Sequence, residues 1–150
     1  MKTVLTLLLF LTINVMANNV YTKTYDVSMQ TLYPKLLNAM NKAHLVVVSE
    51  IDILGKFKAA GLPKAFGKNF NTNNLTGIKA VIACNGWFGN EVANSDPEMM
   101  AYCPVRVTVV ERDGKTTISY VKASSAPKDS QAYPILKKLT HKVVTIIDSL

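Results

Sequence analysis

Cysteine, histidine and tryptophan are scarce in this 150-residue chain, with two, two and one copies respectively. The two cysteines, Cys84 and Cys103, are separated by 18 intervening residues. There is thus no C-x-x-C redox motif, no C-x-x-C-H haem attachment and no zinc-ligand spacing. Also absent are the phosphate-cradling G-x-x-x-x-G-K and the dinucleotide-binding G-x-G-x-x-G. His44 is expected to close a helix and His141 to sit mid-helix beside Lys142, neither with the neighbours of a catalyst. Ser28, Ser124 and Ser125 lack the surroundings of a nucleophile. Glu50 and Asp52 share one face of a strand, which reads as a solvated pair rather than an acid/base couple.

Long apolar runs are missing too. The one candidate, residues 4–13, is too short for a comfortable bilayer span of about 20 residues. It follows Lys2 and precedes Val15-Met16-Ala17, the arrangement of a secretory signal cleaved after residue 17. This predicts a periplasmic or secreted protein, a mature chain starting at Asn18 and no lipid-modified N-terminus. The remaining length suits a single domain that needs no disulfide to be stable.

Acidic residues are outnumbered, 10 against 17. Removing Lys2 with the signal leaves a mature charge of +6, which favours anionic ligands, anionic surfaces or acidic partners. Export and the lack of any recognition motif argue against nucleic acid. A homodimer is compatible with the composition.

Alternating residues over 20–27 predict a strand, and Leu32, Leu36, Met40 and Ala43 predict a helix capped by Thr31, with Pro34 in its first turn. A Val-rich strand follows over 45–53. Residues 54–77, broken by glycines and Pro63, read as loop with a short helix near 56–60. A strand over 78–83 leads into a partly helical connection, 85–102. Strands over 104–112 and 116–122 flank Asp113-Gly114, a strong hairpin-turn signal. Beyond Pro127, Ser130 caps a last helix with its apolar stripe at Leu136, Leu139, Val143, Ile146, Ile147 and Leu150. The fold class is therefore α+β, a single open sheet of four or five strands, partly antiparallel, with helices packed on one face.

The order of Val46-Val47-Val48-Ser49-Glu50-Ile51-Asp52, Ala83-Cys84-Asn85, Asp96-Pro97, Cys103 and Asp113-Gly114 resembles the domain of unknown function 302 family over nearly all of the mature chain. His44 stands where that family commonly has glycine. The resemblance implies an opening βαβ stretch, a fold and a candidate site around the cysteines, but no reaction.

Two cysteines in an exported chain read most simply as one disulfide. Strand parity supports this: Cys84 follows Ile78, Ala80 and Ile82 at even spacing, and Cys103 precedes Val105, Val107 and Val109, so both sulfurs are expected to point inward. Two inert buried thiols, or a redox or soft-metal pair joined by Met99 and Met100 for monovalent copper, are the alternatives. For the methionines the plainer role is core filling.

From residue 54 to residue 90 there are five lysines, at 56, 58, 64, 68 and 79, and no acid. Phe57, Phe66, Phe70, Trp87 and Phe88 share this stretch. It can form a rim for an anionic or amphipathic ligand; the plainer alternative buries the aromatics and leaves the lysines solvated. The expected function is a ligand- or partner-binding accessory module, without an assigned cofactor, whose site gathers Cys84, Asn85, Trp87 and Cys103. A thiol redox protein or a copper or haem-related carrier is the alternative.

Overall fold

The computed structural model describes residues 19–150, so the signal segment read over residues 1–17 lies outside the described residues. Five strands form one sheet: β1 (Val20–Tyr25), β2 (Val46–Asp52), β3 (Gly77–Cys84), β4 (Val105–Arg112) and β5 (Lys115–Val121). Their spatial order is β1-β5-β4-β3-β2 and every neighbouring pair is antiparallel. This is the expected single open α+β sheet, antiparallel between all neighbours, and the chain opens β1-helix-β2 with those two strands running in the same direction. β1 and β2 lie at opposite edges, because the β4–β5 hairpin and β3 fill the space between them.

The hairpin forms as its turn chemistry requires. Asp113 and Gly114 take φ of 53° and 73°, and Arg112 faces Lys115 across the turn.

α1 (Met29–Lys42) and α5 (Tyr133–Asp148) each carry an apolar stripe at three- and four-residue spacing. Leu32, Leu36 and Met40 of α1 and Leu136, Leu139, Val143 and Ile147 of α5 join one core with Val81, Val107, Val109, Ile118 and Tyr120 of the sheet. The reverse face of the sheet carries Thr22, Thr24, Thr108, Thr117 and Ser119, none of them buried.

The ends of α1 depart from the expected caps. The helix begins at Met29, with Ser28 rather than Thr31 at the cap position, and Pro34 falls inside it. Ser28 makes no side-chain cap; instead the Glu111 carboxylate, on β4, accepts the Met29 N–H at 2.9 Å. At the other end His44 takes the left-handed conformation, φ 58°, where glycine is the easier residue.

The segment 54–77 is more helical than its glycines suggest. It contains most of α2 (Ile53–Ala59), then α3 (Leu62–Phe66) and a 3-10 turn, Gly67–Asn69. Gly55 is no breaker here. The Asp52 carboxylate caps α2 by accepting the Gly55 N–H at 2.9 Å, so closely that a Cβ on Gly55 would stand 2.4 Å from Asp52 Oδ2. α2 packs against β3 and, with α3, forms a lobe beside the start of that strand. α4 (Gly86–Ser95) follows its far end.

Candidate functional site

Three of the four residues expected to form the site, Cys84, Asn85 and Cys103, border one crevice, which encloses almost no space, and Trp87 does not line it. The crevice, bordered also by Phe88 and Pro104, is about 10 Å³, room for one water at most. Asn85 is engaged structurally: its Oδ1 accepts the Phe88 N–H at 3.0 Å, capping α4, and its Nδ2 donates to the His44 carbonyl at 2.8 Å. Trp87 is 59% exposed and meets Phe88 edge to face, with ring centroids 4.9 Å apart.

Both cysteines are free, which corrects the expected disulfide. The register gives the reason. Ala83 pairs with Val105 and is buried in the core, so alternation along β3 turns Cys84 to the opposite face, with half-buried Ile82. Cys103 packs against the core. The assumption that both sulfurs point inward fails at Cys84, since it is Val81 and Ala83, not Ala80 and Ile82, that belong to the core cluster. Burial, and then the neighbouring Cys84, push the Cys103 thiol upward, away from the thiolate that nucleophilic or metal chemistry uses. Met99 packs against the core. Among the described residues no three His, Cys, Asp or Glu side chains gather to hold a metal.

Glu50 and Asp52 also have structural partners. Glu50 accepts from the Tyr33 hydroxyl at 2.8 Å, and Lys79 lies 4.5 Å above the Tyr33 ring. Burial, followed by the bond to Glu50, raises the Tyr33 pKa well above the ordinary tyrosine range. These groups flank a cleft of about 480 Å³ of mixed character, lined by Tyr33, Asp52, Lys58, Lys79 and Glu111 together with Met29, Leu54 and Ile78. Glu111 is held there by the Met29 N–H and by the Thr76 hydroxyl at 2.9 Å.

A different kind of site lies in the α2–α3 lobe. A groove of about 420 Å³ is lined by Leu54, Phe57, Leu62, Phe66, Phe70 and Ile78, with Asn69, Asn71 and Asn73 also on its walls. That volume falls within the roughly 300–1,000 Å³ of small-molecule sites. One wall is a turn held by a single side chain: Asn71 Oδ1 accepts the Leu75 N–H and Asn71 Nδ2 donates to the Leu75 carbonyl, both at 2.9 Å. Phe57 and Phe66 are 41% and 57% exposed, which sets aside the expectation that these aromatics fill the core. Lys56, Lys58, Lys64 and Lys68 are exposed on the same elements. The acid-free, Phe- and Lys-containing stretch of sequence was the signal for this groove. What the sequence alone left open is that its apolar side chains face a common hollow.

The eight residues of β3 separate the two candidates, since the lobe adjoins the start of the strand and Cys84 ends it. At about 3.3 Å per residue they stand roughly 20 Å apart.

No helix among the described residues is long and apolar enough to cross a membrane. A family profile described as "Domain of unknown function DUF302" matches residues 21–150. The crystal structure of an uncharacterised conserved DUF302 protein from Bacillus stearothermophilus superposes with a TM-score of 0.75 at 18% sequence identity, covering 88% of this chain and 98% of that one. At that identity the likeness is one of fold. No curated protein matches.

Proposed function

The chain belongs to the DUF302 family, and from its geometry we propose that it is an exported binding module whose α2–α3 groove takes an anionic amphiphile, a molecule with one acyl chain and one acidic head. The groove itself carries this reading. Its lining is mostly apolar, so a hydrocarbon chain loses water on entering, at about 0.8 kcal/mol for each buried CH₂. The exposed lysines of the surrounding elements supply positive charge; no acid lies between residues 53 and 90 of the sequence, and Asp52 and Glu111 face the adjoining cleft beside Lys58. Export is supported by the N-terminal pattern of Lys2, an apolar core and Ala17. The pair of cysteines plays no part in this site, because their crevice has no room for a ligand.

Calorimetric titration with dodecanoate, kept below its micelle concentration, tests the reading, with dodecanol as the uncharged control. Saturable binding of dodecanoate, weakened for dodecanol and for Phe66→Asp, is expected. Absence of saturable binding by either compound overturns it.

A further inference from the structure

The lobe presents more apolar surface outward than a groove for one small molecule needs. Phe57 and Phe66 expose 41% and 57% of their surfaces between four exposed lysines at 56, 58, 64 and 68. The preceding acid, Asp52, is engaged in capping α2, and the next along the chain is Glu91, beyond β3. Aromatic side chains flanked by cations are the residues that settle at the boundary between headgroups and acyl chains, where the ring is dehydrated and the ammonium groups stay among phosphates. We propose that the α2–α3 lobe is a peripheral docking surface for an anionic bilayer, with Phe57 and Phe66 inserted at the interface and Lys56, Lys58, Lys64 and Lys68 on the acidic headgroups. This rests on reading the groove as an amphiphile site and names where the amphiphile is met: the mouth of the groove opens at the membrane surface. Charge complementarity selects the partner, because a zwitterionic surface offers the lysines nothing and an apolar protein face leaves them unpaired.

Co-sedimentation of the exported chain with vesicles of equal parts phosphatidylcholine and phosphatidylglycerol tests the proposal, with pure phosphatidylcholine vesicles as the comparison. Binding to the anionic vesicles alone is expected, and it weakens as salt is raised. Each lysine near the surface contributes about fivefold in partitioning, so Lys56→Gln with Lys64→Gln lowers binding roughly twenty-five-fold at low salt. These positions are exposed, so the variant keeps the parent's melting temperature. Lys137→Gln with Lys138→Gln, on the solvent side of α5, leaves binding unchanged. If the α5 pair lowers binding as much as the lobe pair, overall positive charge is responsible and the docking surface is refuted. Equal binding to both kinds of vesicle refutes it as well. Dodecanoate binding without vesicle binding overturns this inference and leaves the proposed function standing; loss of both removes the two together.

Discussion

Removing the Glu111 carboxylate tests how the sheet holds the first helix. α1 starts without an acidic residue in its first turn and without a side-chain cap from Ser28. The free N–H of Met29 is met instead by Glu111 Oε1 at 2.9 Å, from a strand 82 residues further along the chain. The other oxygen of the same carboxylate, Oε2, accepts the Thr76 hydroxyl at 2.9 Å, which ties the entry to β3 to the same point. In Glu111→Ala the helix loses a cap worth about 1 kcal/mol and a favourable charge at its N-terminus worth about 0.3–1 kcal/mol. The partly exposed Thr76 bond adds about 0.5 kcal/mol, so the total is on the order of 2 kcal/mol. For a domain of this size that is a fall in melting temperature of roughly 8 °C. Glu111→Gln keeps the oxygen that accepts the Met29 N–H and sets an NH₂ donor against the Thr76 hydroxyl, which turns to accept from it, so the variant loses mainly the charge and costs less than half as much. Calorimetric melts of the three proteins decide the matter. An alanine variant within about 0.5 kcal/mol of the parent, or a glutamine variant as damaged as the alanine one, contradicts the argument.

Thiol titration of unfolded, unreduced protein should give two reactive sulfhydryls per chain, and reductant should leave the melting temperature where it was. A disulfide closing this loop would contribute roughly 3 kcal/mol and a reduction-dependent shift on the order of 10 °C, and such a shift would refute the free-thiol assignment. At alkaline pH the tyrosines of β1 matter. Hydrogen bonding to Asp148 at 2.5 Å pushes Tyr21 up to about 12, and burial pushes Tyr25 up to about 12. The folded state favours the neutral phenols over the unfolded value of 10.0, so their contribution is complete below pH 10 and is lost as pH climbs from 10 towards 12. Ultraviolet titration should find these two phenolates forming late, and Tyr21→Phe should remove one late step; ionisation of both near pH 10 contradicts the assignment.

Local pattern was enough for the parts of the fold that local chemistry decides. The Asp113-Gly114 hairpin, the buried stripe of α5 and the alternation of β4 all follow from residues close in sequence. Strand order was not legible, since the distance from β1 to β5 is set by which apolar faces pack together and not by any turn signal. The cysteine error had the same origin. Parity along β3 correctly grouped Cys84 with Ala80 and Ile82, but both faces of that strand are rich in small apolar residues, and sequence could not say which one meets the helices. The lobe was misread for a further reason: Gly55, Gly61 and Pro63 look like breakers. In the structure Gly55 makes room for the Asp52 cap, Gly61 takes φ 75° before α3, and Pro63 lies in the first turn of that helix, where its missing N–H costs nothing.

Where an anionic amphiphile touches the protein is the most direct test of the central claim. Amide chemical-shift mapping during titration with dodecanoate should move resonances from Leu54 to Ile78, above all those of the α2–α3 groove, and leave Cys84, Asn85, Trp87 and Cys103 undisturbed roughly 20 Å away at the far end of β3. Shifts centred on the cysteines and Trp87, or spread evenly over the lysines of the whole surface, would contradict the account.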